Sequence, residues 1–284
     1  MKFLYFFAKR FIAGQDVIEM LKNIRYIGNV TINYVGESCT KIKKILKNID
    51  EYEKLIYHLK RGGGRKRPYE ISIKLSQFGN TKKDWTIAID RLLKAIDDTP
   101  ITLKMDMECS SMIEGTLEIA KYYGGKVGVV LQANMRRSKD DLPEMLKRDI
   151  PVRICKGAYT GDFKKEDDIR KAYIELASRA IQYPLVPAKH IAFATHDEYL
   201  IDIIKSFNCK EDYYFEMLYG IRRDLMQELH IKDYNVRTYV PYGERWFPYV
   251  CRRLMEFKNM KFIISNIIRE KLNELRGSYR GVGN

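Results

Sequence analysis

The sequence lacks the signatures of several large classes of protein. No run of about 18 apolar residues occurs, which excludes a membrane-spanning helix, and the apolar run near the N-terminus is too short for a signal peptide. The five cysteines are widely spaced with no C-x-x-C pair, which favours reduced thiols in a cytoplasmic protein and gives no indication of a zinc site. No G-x-G-x-x-G follows the first predicted strand, which weakens a dinucleotide-binding Rossmann fold.

The chain is strongly basic, with a formal net charge of +14 at pH 7. Such a charge suits nucleic acid, an anionic membrane surface or a solvated, lysine-rich exterior. The one dense basic run is Lys60–Arg67, and no aromatic residues are interleaved with it to stack on bases. We interpret it first as an exposed loop and second as a contact for anionic membrane, and we expect no nucleic-acid partner. A basic binding module without catalysis, recognisable by salt-sensitive polyanion binding, is one alternative function.

The apolar pattern predicts eight strands that alternate with helices. Short β-branched runs occur at Asn29–Tyr34, Glu70–Leu75, Ile101–Met105, Val127–Leu131, Val152–Cys155, Ile191–Ala194, Tyr213–Met217 and Val236–Val240. Helical spacing appears between most of them, as in Thr40–Leu59, Thr81–Ile96 and Tyr199–Phe207. Because eight βα units fit about 250 residues, we expect an α/β fold of the (βα)8 TIM-like barrel type, with a doubly wound open sheet as the alternative. We expect a single domain, 1–284, with an N-terminal helical segment (1–28) before the barrel (29–284).

Polar side chains occur at the C-terminal ends of the predicted strands, where the catalytic residues of TIM barrels lie. They are Lys74, Asp106, Glu108, Gln132, Arg153, Lys156, Thr195, His196, Glu216 and Tyr239. Their position suggests that a polar ligand fills the mouth of the barrel. Lys74 alternates with isoleucines, so it is either an interior cation that needs an anionic partner or an ordinary exposed lysine.

Two carboxylates at the end of the third strand suggest an alternative enzyme. Asp106 and Glu108 lie two residues apart and are expected on the same side of the strand. With His196 they would suit a metal-dependent barrel hydrolase, which would be colourless and sensitive to chelators. A second nearby histidine and the H-x-H and H-E-x-x-H patterns are lacking, which weighs against a metal.

The segment Arg153–Tyr159 suggests a cofactor site. A cationic strand ends there in a lysine and two small residues, Gly157 and Ala158, which would let a flat ligand approach the backbone. Cations beside a flavin stabilise the negative charge that its ring gains on reduction. Thr195 and His196 add hydrogen-bonding groups at the next strand end. An ordinary βα loop with surface cations is the alternative.

The most informative motif is a polar stripe in the segment Tyr249–Glu256, which we expect to be helical. Tyr249, Arg252, Arg253 and Glu256 have the spacing i, i+3, i+4, i+7 and share one helix face. Two adjacent arginines can bind a small carboxylate through several charge-assisted hydrogen bonds, and a glutamate one turn on can fix the first of them. The alternative is a solvated ion-pair helix. The turn-rich segment that precedes the helix favours a site, because it starts the stripe at the mouth of a strand.

Together these segments resemble the proline dehydrogenase family of flavin enzymes. The resemblance extends from Arg10–Gly14 to the final helices and is most specific at Ile71–Ser76, Val130–Gln132, Arg153–Tyr159, Phe193–His196 and Tyr239–Glu256. It implies a distorted (βα)8 barrel with non-covalent FAD across its mouth and no metal. It also implies oxidation of L-proline to Δ1-pyrroline-5-carboxylate, the first step of proline catabolism, by hydride transfer to flavin N5, with electrons passed to a membrane quinone. A cytoplasmic enzyme, peripheral on the inner face of the membrane, would fit this chemistry.

The resemblance also implies a role for each candidate residue. Asp106 would organise the active site and Arg153 would lie close to the reacting flavin nitrogen. The implied substrate-binding residues are Lys74, Tyr239, Tyr249, Arg252, Arg253 and Glu256. The implied cofactor-binding residues are Met107, Gln132, Lys156, Gly157, Ala158, Tyr159, Thr195, His196 and Glu216.

Some features depart from the family pattern. We expect glutamine at the position of Glu216, and more helical sequence before Arg10–Gly14. No aldehyde dehydrogenase domain follows the barrel, so a monofunctional enzyme is expected. A tyrosine at position 249 favours proline over hydroxyproline, since relatives that prefer hydroxyproline tend to have a smaller residue there.

The arginine stripe gives a direct prediction. Arg252→Met should raise the KM for proline at least ~10-fold, because losing a hydrogen bond to a charged group costs roughly 1.5–3 kcal/mol. Steady-state kinetics on the folded variant measure this. An unchanged KM in a normally folded variant would show that Arg252 does not bind the substrate carboxylate.

Overall fold

The structure is a computed structural model that describes residues 5, 8–36, 38–61, 68–183, 191–207 and 213–256. Eight parallel strands form a closed barrel in chain order, and the last strand pairs with the first. The strands are β1 (Asn29–Tyr34), β2 (Tyr69–Ile73), β3 (Ile101–Met105), β4 (Val127–Gln132), β5 (Val152–Cys155), β6 (Ile191–Ala194), β7 (Tyr213–Leu218) and β8 (Val236–Tyr242). The predicted (βα)8 barrel is confirmed.

Helices alternate with the strands. The described α-helices are α1 (Val17–Ile24), α2 (Ile42–Arg61), α3 (Lys82–Ala95), α4 (Ser110–Tyr123), α5 (Ser138–Lys147), α6 (Glu166–Ile181), α7 (Glu198–Lys205), α8 (Arg223–Ile231) and α9 (Trp246–Glu256). Side-chain caps set three of the N-termini: Asp16, Thr81 and Asp197 each accept a hydrogen bond from a backbone N–H of the first turn. The bounds of the three helices that we predicted from the sequence differ from the observed bounds of α2, α3 and α7 by one or two residues.

Alternation along each strand separates the core between sheet and helices from the barrel interior. On β7, Tyr213 donates a hydrogen bond to the carbonyl of Ile204 in α7, and the Phe215 ring packs on Tyr234. Glu216 has the opposite parity to these two residues, and it contacts Arg153 inside the barrel. Because successive strand residues point to opposite faces, polar residues enter the interior without disturbing the apolar layer outside.

The second strand is shorter than predicted. It ends at Ile73, and Lys74 precedes a short 3-10 helix at Leu75–Phe78. Lys74 keeps extended backbone angles and has the same parity as Ser72, whose hydroxyl bonds to Asp106 in the interior. Lys74 is therefore half-buried just beyond the strand, at the mouth of the barrel.

The N-terminal segment closes against β8 and α9. The N–H of Ala13 donates to the Pro241 carbonyl, and the N–H of Gly243 donates to the Gly14 carbonyl, both at 2.9 Å. Buried side chains of this segment and of α9 form an apolar cluster that includes Phe11, Ile12, Trp246, Tyr249 and Val250. The start of the chain thus fixes the helix that carries the polar stripe.

A glycine is required where this segment crosses the loop after β7. Gly220 has φ +75°, and a Cβ there would lie 1.6 Å from the carbonyl oxygen of Arg10. Only a residue without a side chain allows so close an approach of two backbones.

Two predictions about the whole chain extend beyond the described residues. The single domain over 1–284 stays a prediction, and most of the basic run, residues 62–67, lies outside the described part. Within the described ranges, no helix has both the length and the apolar character that crossing a membrane requires.

Candidate active site

The interior of the barrel is charged. TIM barrels usually fill this space with branched apolar side chains. Here three carboxylates and three cations pair with one another, so their formal charges cancel. We call them the interior ion network: Glu70, Asp106, Glu216, Lys104, Arg153 and Arg237.

Arg153 is the centre of the interior ion network. Its side chain is 4% exposed, with Nη2 2.7 Å from Glu70 Oε1 and Nη1 2.8 Å from Asp106 Oδ1. Its Nε donates to Glu216 Oε2 at 2.9 Å. Burial by itself would lower the pKa of Arg153, but its three carboxylate partners raise it above the ordinary value. The guanidinium is therefore a permanent positive charge enclosed by protein.

Glu70 lies on β2, deeper in the barrel than Asp106, and forms ion pairs with Lys104 and Arg237 as well as with Arg153. Its Oε1 accepts hydrogen bonds from Thr31 at 3.0 Å and from Arg153, while Oε2 lies 2.8 Å from Lys104 and 2.9 Å from Arg237. Burial alone would raise the pKa of Glu70, but the three surrounding cations lower it well below its usual range. Glu70 is therefore ionised at neutral pH.

Asp106 connects the interior ion network to the mouth. Its Oδ1 accepts hydrogen bonds from the hydroxyl of Ser72 at 2.6 Å and from Arg153, and its Oδ2 accepts one from the hydroxyl of Tyr239 at 2.6 Å. Burial and the Asp106 carboxylate both raise the pKa of Tyr239 well above its ordinary value. Tyr239 therefore remains a protonated donor at neutral pH.

Glu216 lies in the interior ion network, with its side chain 1% exposed. Both of its oxygens are within 2.9 Å of Arg153 nitrogens, although only the Nε contact has hydrogen-bond geometry. Glu216 and Arg153 pair with each other inside the protein, so their opposite charges are balanced without a ligand. An implied contact of Glu216 with a cofactor stays a prediction.

The three residues of the hydrolase alternative do not form one site. Glu108 accepts hydrogen bonds from the backbone N–H and hydroxyl of Ser76, whereas Asp106 serves Arg153 and Tyr239. The Nε2 of His196 accepts a hydrogen bond from the backbone N–H of residue 218. No group of three or more His, Cys, Asp or Glu side chains in the described ranges suits a metal.

Apart from Glu216, the residues expected to bind the cofactor lie at or beyond the ends of β3 to β6. Met107 is buried beyond β3, and Gln132 ends β4 and donates to the Glu108 carbonyl at 3.3 Å. Thr195 follows β6 and accepts a hydrogen bond from the N–H of Asp197 at 3.1 Å. The candidate cofactor residues at the ends of these successive strands therefore lie along one side of the mouth.

The loop after β5 carries the predicted residues 156–159. Lys156 pairs with Asp197 at 2.6 Å and with Glu166, so its ammonium lies between two carboxylates. Gly157 has φ +115°, and a Cβ there would lie 2.1 Å from Asn134 Oδ1. Small residues were expected here to admit a flat ligand, but the immediate reason for this glycine is its backbone angle and its approach to Asn134. Ala158 and Tyr159 lie in the same loop, and the Tyr159 ring is exposed.

The residues expected to bind the substrate lie on the opposite side, after β8 and β2. Tyr239 is on β8, Tyr249 is buried in α9, and Lys74 lies beyond β2. The backbone of Arg252, Arg253 and Glu256 belongs to α9, but their side chains lie outside the described part of the structure. Their roles stay predictions.

Sequence reasoning missed the deeper members of the site. They are Thr31, Glu70, Ser72, Lys104 and Arg237. Glu70 and Lys104 carried a usable signal, since each is a charge in a predicted strand with both faces covered, and such a charge needs a partner. Which partner it finds depends on closure of the barrel.

The chain is similar in sequence to proteins of known family. A family model described as proline dehydrogenase matches residues 15–264. The chain is 30% identical to proline dehydrogenase of Deinococcus radiodurans, over 92% of this chain and 90% of that protein. It is 29% identical to proline dehydrogenase 1 of Bacillus subtilis strain 168, over 93% of this chain and 91% of that protein.

Solved structures show a similar fold. Proline utilization A (PutA) from Bdellovibrio bacteriovorus superposes with a TM-score of 0.75 at 21% identity, over 90% of this chain. PutA from Corynebacterium freiburgense superposes with a TM-score of 0.74 at 14% identity, over 88% of this chain. The chain covers only 33% and 31% of those two proteins, respectively.

The link between Asp106 and Tyr239 can be tested with a matched pair of variants. Tyr239→Phe should lower the free energy of unfolding by about 1.5–3 kcal/mol, because it removes a hydrogen bond to a partly buried carboxylate. Tyr123→Phe removes the same kind of bond, 2.7 Å to an exposed carboxylate of Asp90, together with a longer contact of 3.2 Å to the Thr86 carbonyl, and should cost less than about 1 kcal/mol. Urea unfolding measures both. Equal losses would contradict a special role for the buried bond.

Proposed function

Because the chain belongs to the proline dehydrogenase family, we propose that it oxidises L-proline to Δ1-pyrroline-5-carboxylate using non-covalently bound FAD. Membership makes it a flavin-dependent oxidoreductase of proline catabolism. The identity of the nucleotide, the route of the hydride and the electron acceptor are parts of the proposal. The family assignment does not support the metal-dependent hydrolase.

One observation carries the proposal. Apart from Glu216, the candidate cofactor residues lie at or beyond the ends of β3 to β6. The candidate substrate residues lie on β8 or beyond β8 and β2, and Arg153 and Asp106 lie between the two groups. A cofactor bound on one side and a substrate bound on the other would therefore lie next to each other, above the ion pair of Arg153 and Asp106. Such an arrangement suits transfer between a bound substrate and a bound cofactor.

The groups beside β4 and β5 fit a flavin nucleotide. Arg153 would place a guanidinium near a reduced ring, and Gln132 supplies an amide. Lys156 would bind the diphosphate by exchanging a carboxylate partner, Glu166 or Asp197, for a phosphate oxygen. Asn134 Oδ1 is buried and has no hydrogen-bond partner in the structure, so it offers an acceptor beside Gly157. When bound, FAD would supply the acceptor for hydride from proline C5, at N5 of its ring.

The remaining residues would bind and orient the substrate. Lys74, Arg252 and Arg253 would bind the carboxylate of proline, with Glu256 holding Arg252 in place. Tyr239 and Tyr249 would flank the pyrrolidine ring, and Tyr249 would disfavour hydroxyproline. Fixed orientation of this kind is worth on the order of 7–11 kcal/mol of the barrier in favourable cases. In this scheme Asp106 acts by holding Tyr239 and Arg153 in position.

An absorption spectrum tests the proposal most simply. The purified protein should be yellow, release FAD into the supernatant on heat precipitation, and bleach anaerobically on addition of L-proline. L-Prolinamide, which has no carboxylate for the cations to bind, should bleach it far more slowly. A protein that neither carries nor takes up flavin, or that bleaches equally with both compounds, would contradict the proposal.

We further propose that a membrane quinone accepts the electrons and that the enzyme lies in the cytoplasm, peripheral on the inner face of the membrane. The net charge of +14 supports this location, since each well-placed Lys or Arg contributes about 1 kcal/mol at an anionic surface. Co-sedimentation with anionic liposomes should fall as salt rises and when charges in Lys60–Arg67 are neutralised. Co-sedimentation that is unaffected by both changes would contradict the membrane contact.

A further inference from the structure

We propose that Glu70 acts through the interior ion network: by pairing with Lys104, Arg153 and Arg237 it balances the positive charge beneath the barrel mouth, and thereby sets the reduction potential of the bound flavin. The inference rests on the proposed function, because it requires a flavin near Arg153. Among the residues that the structure describes, the side chain of Glu70 contacts Thr31, Lys104, Arg153 and Arg237, so its effect on the reaction would pass through the interior ion network.

The geometry makes Glu70 the residue that four other groups share. One oxygen accepts from Thr31 and Arg153, and the other contacts Lys104 and Arg237. The residue is 5% exposed and Lys104 is 2% exposed, so water screens these contacts little. Glu70 restrains the Nη2 side of Arg153, while the Nη1 side faces Asp106 at the mouth.

Charge balance depends on this one carboxylate. Among the described residues, Glu70 is the carboxylate within ion-pair distance of both Lys104 and Arg237. Neutralising it leaves the interior ion network one positive charge in excess. Neutralising Lys104 instead leaves one negative charge in excess, at nearly the same place.

The sign of the expected effect follows from the chemistry of the flavin. Reduction adds negative charge to the ring, so extra positive charge nearby favours the reduced form and raises the potential. Loss of positive charge lowers the potential. A residue that only supported the fold would not produce shifts of opposite sign from opposite charge changes.

The test compares the holoprotein with Lys104→Met and with the double variant Glu70→Gln/Lys104→Met. Lys104→Met should shift the midpoint potential of the flavin to a more negative value, and adding Glu70→Gln should return it towards that of the unaltered protein. The comparison avoids Glu70→Gln alone, because burial already lowers the pKa of Lys104 and loss of its partner would favour its deprotonation. In the double variant the remaining cations are arginines, which stay charged.

A surface pair provides the matched control. Lys121 lies 2.9 Å from Glu144 in a partly exposed ion pair, and Lys121→Met should leave the potential unchanged. A double variant whose potential stays at the Lys104→Met value, or moves further negative, would overturn the role of Glu70. A protein without flavin would instead overturn the proposed function, and the inference with it.

Discussion

The architecture of the site depends on a single buried guanidinium and the carboxylates that share it. Arg153 would be costly to enclose alone, because a buried charge without partners loses its hydration. Glu70, Asp106 and Glu216 come from β2, the end of β3 and β7, and they meet Arg153 from β5 across the barrel. The interior ion network therefore connects strands that do not neighbour one another in the sheet.

The interior ion network also holds side chains at the mouth of the barrel in position. Asp106 receives the hydroxyl of Tyr239 on one oxygen and Arg153 on the other. From a second direction, the N-terminal segment packs on α9 through Phe11, Ile12 and Tyr249. Ion pairs and hydrogen bonds thus hold Asp106, Arg153 and Tyr239 in place, whereas apolar packing holds Tyr249 and α9 in place. The two kinds of contact respond differently to salt and to pH.

Much of the fold could be predicted from the sequence because it depends on local patterns. The eight strands were located to within about two residues by runs of β-branched residues, and the barrel followed from their number and spacing. The polar residues at strand ends could also be identified. Their partners could not, since Glu70 and Arg153 are separated by 83 residues and meet only when the strands close into a barrel.

Parity along a strand was informative but incomplete. It placed Asp106 and Glu108 on the same side of the chain, yet the chain leaves β3 at Met105 and the two carboxylates serve different partners. For Lys74 the sequence left two orientations open, and the interior contact of Ser72, which has the same parity two residues earlier, favours the mouth of the barrel. Tertiary context, rather than spacing, decided both cases.

The most direct test of the account is a crystal structure of the holoprotein with a proline analogue in which oxygen replaces the ring nitrogen. In that structure we expect Arg153 to keep its contacts with Glu70 and Glu216, the flavin to lie across the mouth, and the carboxylate of the analogue to contact Arg252 and Arg253. A flavin bound away from Arg153, or an Arg153 side chain that has left Glu70, would contradict it.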